Sequence, residues 1–481
     1  MITPVHCDLA YILTRYHFSD DLAKVLRELF NVDQASLRYL RSKLPDMKFE
    51  NLKRALLILV RYQLVDYVKT ISKTFNQQYE YSIVPHRVFC FFRIHKFIRR
   101  IESRQGHVAG WILKCLAGRG CLGRHELIHK ACREISDGQL KAIKGEKKIY
   151  IEGQLDVLMA RRFVVLSNDN LCLNIERLAR YYRDHLVVET ISALFNNDLK
   201  IRALAEAILE MSKDNTADDA CITAPVTMID LYTSLIPDIF STQAQLERYI
   251  AKLTTETGIR FFETCGVHPQ KGPLFALNLG YVVDHLMKEH ISAMITTRFG
   301  PKCCRVFRVL LKRGPLLLRQ IEEIVMLPAR DVREYTYMLI KEGLLRNRQV
   351  SKTPDNAPSK SVFIMSVEFD QVVHNVADLC CRSMGNLLRR YIHESNMDAT
   401  LLEQASAVER LLDTEESKSG LSNESRSEQW NQYFNSHELA QLKSTRMKLD
   451  KILLASSQVD DTLFLTHTWL GLRSKMDKDI D

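Results

Sequence analysis

Three things are missing from this 481-residue chain: a Cys-x-x-Cys pair, a G-x-x-x-x-G-K-[ST] phosphate loop and a G-x-S-x-G nucleophile elbow. Without the last two, the commonest loop for nucleotide hydrolysis and the commonest hydrolase elbow are excluded. Twelve Cys are scattered along the chain, with Cys303-Cys304 and Cys380-Cys381 adjacent. That usage predicts reduced, mostly buried thiols in the cytosol or nucleus, and no disulfide framework. The longest unbroken apolar run, Ala55 to Val60, is far shorter than the roughly 20 residues of a membrane-spanning helix. Asp8, Asp20 and Asp21 interrupt any signal-peptide layout at the N-terminus. A protein neither secreted nor embedded in a membrane is therefore expected. With 46% hydrophobic residues the chain can core several domains, roughly three to five at typical sizes, which excludes wholesale disorder.

The formal charge of +9 is unevenly spread. Between Arg87 and Arg133 stand eleven Lys or Arg (Arg87, Arg93, Lys96, Arg99, Arg100, Arg104, Lys114, Arg119, Arg124, Lys130 and Arg133) against Glu102 and Glu126 alone. This window carries the whole net charge, and extension to Lys148 preserves the excess. His86, His95, His107, His125 and His129 share the stretch with Phe89, Phe91, Phe92, Phe97 and Trp111. Concentrated cations with aromatics can neutralise phosphates and stack on bases. A solvated basic face docking on an acidic protein has the same composition, and charge alone leaves both readings open.

Four segments repeat one pattern of amphipathic helix, polar turn and short apolar strand, centred on Leu59, Met159, Leu253 and Leu339. Spacings of 100, 94 and 86 residues suit one small domain per repeat. Shorter helical patterns lie upstream, at Leu22–Leu29 and Leu37–Leu40, at Trp111–Leu116 and Leu127–Ala131, and at Val306–Leu311 and Ile321–Val325. Helix, helix, longer helix and hairpin make up a winged helix-turn-helix. The expected fold is mainly α with small β wings: four tandem winged-helix domains and a C-terminal antiparallel coiled-coil hairpin. Expected boundaries are 1–85, 86–178 (basic), 179–288, 289–370 and a stalk over 371–481 with a flexible linker at 413–428. Within them, 213–219 reads as a loop of the third unit and 353–359 as the wing of the fourth.

Two catalytic motifs occur. Gly118-Arg119-Gly120-Cys121-Leu122-Gly123 satisfies G-x-G-x-x-G, but a helical pattern precedes it where a dinucleotide site needs a strand. Its glycines fit a helix C-cap and the turn between two winged-helix helices. His125-Glu126-Leu127-Ile128-His129 satisfies H-E-x-x-H, yet a zinc site would need Glu146 or Glu152 as third ligand. Leu127, Ile128 and Ala131 are also needed for the unit's core. No catalytic residue, cofactor or metal ligand is assigned. The basic residues Arg87, Arg93, Lys96, Arg99, Arg100, Arg104, Arg119, Arg124, Lys130 and Arg133 are the candidate DNA-binding set. The third helices of the other units, with Glu247-Arg248 and Asp331-Arg333-Glu334, carry few surplus cations and read as protein-docking faces.

Several stretches resemble one family. They are Arg298-Phe299-Gly300, Arg305 to Leu311, Ile321 to Ala329, Glu334 to Leu339 and Lys352 to Ser359, with Ala179 to Val188, Leu439 to Asp450 and Val459 to Phe464. The family is the third-largest subunit of eukaryotic RNA polymerase III, similar in architecture to the large subunit of TFIIE. Asn356 stands where that family commonly has His, and Val362 to Met365 where it has an aromatic-rich strand. The resemblance implies a nuclear, non-catalytic subunit that joins two other polymerase III-specific subunits in a trimer on the clamp of the largest subunit. It implies work with TFIIIB and promoter DNA in recruitment and DNA opening for tRNA, 5S rRNA and other short RNAs, no membrane partner, and in animals a part in cytosolic DNA sensing. A stand-alone winged-helix transcription regulator is the alternative.

Overall fold

The computed structural model describes residues 3–71, 77–134, 147–167, 169–217, 220–235, 240, 242–255, 261–268, 272–351, 361–419, 430 and 433–476. It forms two compact units, one of Met1–Leu13 with Glu368–Thr466, the other of Thr14–Val367 with His467–Asp481.

In the larger unit the winged-helix order recurs four times. After α1 (Pro4–His17), the first domain is built from α2 (Asp20–Phe30), β1 (Ala35–Ser36), α3 (Leu37–Lys43), α4 (Phe49–Arg61), β2 (Val65–Ile71) and β3 (Gln77–Ile83). Two connecting helices, α5 (Pro85–Phe92) and α6 (Ile94–Gln105), lead to the second: α7 (His107–Arg119), β4 (Cys121–Gly123), α8 (Arg124–Glu134), α9 (Lys147–Ala160), β5 (Val164–Ser167) and β6 (Asn170–Leu173). The long helix α10 (Ile175–Leu194) joins this to α11 (Leu199–Ser212), β7 (Val226–Thr227), α12 (Met228–Leu235), α13 (Gln243–Thr255), β8 (Phe262–His268) and β9 (Gly272–Leu277). After α14 (Leu279–Phe299), the fourth has α15 (Pro301–Arg313), β10 (Leu316–Leu317), α16 (Leu318–Val325), α17 (Ala329–Lys341), β11 (Arg346–Ser351) and β12 (Ser361–Ser366). Every sheet is antiparallel, with the last strand central between the two others.

The same turn leads from third helix to wing in three domains. Amides of Leu64, Phe163 and Leu344 donate to carbonyls of Leu59, Leu158 and Leu339. Just before them Gln63, Arg162 and Gly343 sit at φ of 58°, 60° and 70°. The left-handed residue reverses the chain so that the strand folds back over the helix. This register places the repeat on Leu158, which is fully buried, and not on its half-buried neighbour Met159. The sequence alignment was one residue out because both positions are apolar. The corresponding turn of the third domain, 256–260, lies outside the described residues, as does the wing expected at 353–359.

Each domain buries its own apolar stripe. In the first, α2 packs on α4 with Leu26, Leu29, Leu52 and Leu59 buried, in the fourth α15 packs on α16 and α17 with Phe307, Ile321, Val332 and Leu339 buried, and all are at most 1% exposed. The wings end on asparagine caps: Asn174 and Asn278 accept from the amides of Arg177 and Tyr281 and start α10 and α14. An oxygen at that position satisfies an otherwise orphaned helix amide. Helix α10 packs on α5, α6, α11 and α14, and so ties the second domain to the third.

The smaller unit differs from the expected hairpin. Among the described residues after Glu368 it contains α18 (Phe369–Met397), α19 (Ala399–Ser419) and most of α20 (Ser436–Met476), three helices where two were expected, and it also holds Pro4–Leu13 of α1. Asp398, between α18 and α19, accepts from Gln441 (2.7 Å) and Thr445 (2.5 Å), while Glu394 lies 3.8 Å from Lys448. Later residues of α18 meeting earlier residues of α20 make that pair antiparallel. Helix α19 packs on α20 through Ala405, Val408 and Leu412 against Phe434 and Leu442. It runs through Ser419, into the segment expected as linker from 413, and the remainder, 420–428, lies outside the described residues.

Both terminal boundaries also move. Met1–Leu13 does not belong with the first winged helix: Thr3 donates to Asp378 (2.7 Å), and the buried His6 ring lies 3.5 Å from the same carboxylate. His467–Asp481 leaves the stalk for the winged-helix unit, where Trp469 Nε1 donates to Asp284 (3.0 Å) and His467 lies against Phe89. Such long-range partners have no local pattern in the sequence. No described helix is long and apolar enough to cross a membrane.

Candidate nucleic-acid interface

The basic segment builds α5 to α8 and the start of α9, and the folded chain sorts its cations into two groups. Arg87 spans two acids, with Nε to Glu176 (2.9 Å) and Nη1 to Asp66 (3.0 Å). Arg93 is only 3% exposed. Arg100 Nη2 donates to His185 Nδ1 (2.9 Å), and Arg104 Nη2 to Glu206 (2.7 Å). Arg87, Arg100 and Arg104 tie α5 and α6 to β2, α10 and α11, so they serve the fold before any ligand, and Arg93 is buried. Lys96 is half-buried on the same helix.

The second group is presented to solvent. Arg99 and Arg133 are exposed and have no ion pair among the described residues. Arg119 lies 3.7 Å from Glu126, Arg124 Nη2 2.9 Å from Asp156, and Lys130 3.6 Å from Glu134. Exposed pairs of this kind contribute about 0–1 kcal/mol, so a phosphate can take their place. The exposed Arg119, Arg124 and Arg133 lie at the end of α7 or along α8, with half-buried Lys130 among them, beside exposed His125 and His129.

The aromatics are not stacking platforms. Phe89 and Phe97 are buried, Phe91 stacks on Phe18 with centroids 5.7 Å apart, and Phe92 stacks on His17 at 5.2 Å. Phe91 and Phe92 pack α5 on Phe18, Tyr62 and His17, Phe89 lies against His467 and Phe97 against Tyr182 of α10, a use that an aromatic-rich basic sequence does not distinguish from base stacking.

The G-x-G-x-x-G glycines lie in a domain joint. Gly120 caps α7 at φ 78°, and Gly123 closes the three-residue β4. A Cβ on Gly120 would meet the carbonyl oxygen of Arg61 at 2.9 Å. Across the same joint Arg61 Nη2 donates to Cys121 O (2.9 Å) and Tyr62 Oη to Gly118 O (2.7 Å). The motif thus lets the third helix of the first domain approach the second. In the H-E-x-x-H segment, His125, Glu126 and His129 are exposed on α8. Glu146 lies outside the described residues, among which no group of three His, Cys, Asp or Glu could hold a metal ion. Lys141 and Lys144 of the extended basic window also lie outside them.

Sequence reasoning passed over a second cationic cluster, between α6, α10 and α11. Arg177, Arg180 and Arg183 are at most 9% exposed on α10. Their spacing of three put charge on a face that Leu178 and Val187 help to bury, a signal that was open to reading. Arg177 Nη1 donates to Lys213 O (3.1 Å) and Arg180 Nη1 to Thr216 O (2.7 Å), which holds the loop after α11. Beside them His185 takes a hydrogen bond on Nδ1 from Arg100, with Nε2 2.9 Å from Glu189. Burial, then the guanidiniums of Arg100, Arg104 and Arg202, hold its pKa down to about 4, so the ring is neutral.

These features define a tandem winged-helix protein with an exposed basic face on α7 and α8. Residues 291–367, the last winged helix, match the family model described as "POLR3C, C-terminal winged-helix domain". Over a wider stretch the chain is similar to the DNA-directed RNA polymerase III subunit RPC3 of Danio rerio, with 25% identity over 299 residues, 62% of this chain and 54% of the relative. The Homo sapiens subunit of the same name is 23% identical over 302 residues, 63% of this chain and 55% of the relative. That of Dictyostelium discoideum is 18% identical over 135 residues, 28% and 20% of the two chains. The chain spans about half the length of the animal relatives it matches. The resemblance to the polymerase III subunit family read from its motifs is carried by these comparisons.

Proposed function

We propose that the chain is a non-catalytic subunit of RNA polymerase III that works in the nucleus as a protein-docking scaffold with one DNA-facing module. The observation that carries this reading is the fourfold winged-helix repeat on a chain similar to RPC3 subunits over about three-fifths of its length. A winged helix can use its third helix on a DNA groove or on a protein. Helix α17 exposes Tyr337 at 70% and carries Asp331 and Glu334 among its few cations, a composition suited to protein. The partners proposed are the two other members of a polymerase III-specific trimer and the clamp of the largest subunit, with TFIIIB and promoter DNA met during recruitment and opening. The DNA-facing residues proposed are Arg99, Arg119, Arg124 and Arg133, because the fold leaves them exposed, with half-buried Lys130 beside them.

Purification of the tagged chain from its own cells should bring down the large polymerase subunits in equal amounts. Elution of the chain alone would favour the stand-alone regulator. In the assembled polymerase, Glu at Arg99, Arg119, Arg124 and Arg133 together should reduce DNA crosslinking to this chain at least fivefold. Unchanged crosslinking would remove DNA contact from the proposal and leave subunit membership standing.

A further inference from the structure

Helix α15 has two faces. Cys303, Val306, Phe307 and Leu310 are buried in the fourth domain, while Arg305, Arg308 and Lys312, at i, i+3 and i+7, share the opposite, exposed face, with exposed Arg313 at its edge. These four cations line an open groove of about 600 Å³ bordered by α14, α15 and α16. None of the residues that line it is Asp or Glu. Among the described residues Arg305, Lys312 and Arg313 have no ion pair, and only Arg308 meets an acid, Glu289, at 2.9 Å. Both side chains of that pair are more than half exposed, so it is weak enough for a ligand carboxylate to share. The positive charge of the groove is therefore not cancelled within the described fold.

Between the cations the lining is apolar, supplied by Pro301, half-buried Val309 and Ile324, the last 39% exposed. An apolar centre with charge beside it is the composition of a protein interface, and the volume is that of a ligand-binding cleft. From Arg305 to Lys312 the helix rises about 10 Å. That row matches the spacing at which a second helix presents its own residues at i, i+3 or i+4, and i+7. Nucleic acid fits less well. No aromatic side chain lines the groove, so a single strand finds no stacking platform, and the phosphates of a duplex gain nothing from Val309 and Ile324.

We propose that this groove docks an acidic amphipathic helix of another protein, with its apolar side chains over Val309 and Ile324 and its carboxylates on Arg305, Lys312 and Arg313. The helix lies along α15, and complementary charge sets its orientation and speeds its encounter. The site uses neither α17 nor the exposed face on α7 and α8. It is independent of DNA contact at that face and of polymerase membership.

The probe is a fluorescein-labelled helical peptide of about four turns, with Leu along one face and Glu on both flanks. Titrated with the full chain and followed by anisotropy, it should bind saturably, and at least fivefold more weakly as salt is raised. Arg305→Glu, Lys312→Glu and Arg313→Glu together should weaken binding at least tenfold and leave Tm unchanged, because all three side chains are exposed. Arg305→Lys with Arg313→Lys should retain it, and Ile324→Ser should weaken it at least threefold. Should the triple variant fold poorly, Lys312→Glu alone replaces it, with a loss of at least threefold. Absence of saturable binding, equal affinity for a peptide with Ser in place of every Leu, or a triple variant that binds as the parent does would each overturn the proposal. A single-stranded or duplex oligonucleotide that binds more tightly than the peptide, and is lost with the same three substitutions, would also overturn it and assign the groove to nucleic acid.

Discussion

Replacing Gly120 by Ala tests whether the G-x-G-x-x-G segment is a joint between domains. Gly120 occupies φ 78°, where an L-residue costs on the order of 1–2 kcal/mol. The new Cβ would also stand 2.9 Å from Arg61 O and 3.1 Å from Arg61 Cγ, and the first of these is backbone that cannot rotate away. Relief moves the end of α4, which loosens the Arg61–Cys121 (2.9 Å) and Tyr62–Gly118 (2.7 Å) hydrogen bonds. Each is worth about 1 kcal/mol net, so the expected loss is about 2–4 kcal/mol. Gly118 is the internal control, because it lies within α7 with nothing within 4 Å of its Cβ position. Gly118→Ala should stabilise by about 0.5–1 kcal/mol through helix propensity. Urea midpoints read the overall effect, and hydrogen exchange at 61–64 and 118–123 localises it. If Gly120→Ala and Gly118→Ala agree within about 0.5 kcal/mol, the joint does not constrain this glycine and the reasoning fails.

A half-buried neutral histidine makes stability fall in acid. His185 has its pKa lowered to about 4 from an unfolded value of 6.5, so the unfolded chain takes up a proton first. Its contribution is complete above about pH 6.5 and is lost as pH falls towards 4, by about 1–3 kcal/mol after allowance for solvent screening. His6, His17 and His374 are shifted the same way by burial. The difference in pH slope between the parent and His185→Gln therefore isolates this ring, and equal slopes would refute the assignment. In the smaller unit, Leu442→Ala removes a 4% exposed side chain from the cluster with Ala405, Val408, Leu412 and Phe434. A loss of about 2–4 kcal/mol is expected, measured as faster amide exchange in α19 and α20, and unaltered exchange there would contradict the packing.

The four wings were legible because helix and strand periods are local, and because the turn at Gln63, Arg162 and Gly343 repeats. The C-cap at Gly120 was legible for the same reason: a helical pattern ran straight into it. The candidate DNA face was read too broadly. A run of cations says how much charge a segment carries, but Arg87, Arg93, Arg100 and Arg104 find partners or burial through residues far away in sequence, among them Glu176, His185 and Glu206.

By itself the sequence determined the element types, the fourfold order and the net charge of the second domain, all of which follow from residue chemistry over a few turns. Only the tertiary structure decided which cations remain at the surface, that Met1–Leu13 groups with Glu368–Thr466, and that Arg161, Arg177 and Arg180 converge on one cavity. Those outcomes depend on contacts between residues far apart along the chain, where backbone geometry sets the distance and a side chain's partner cannot be read from its neighbours.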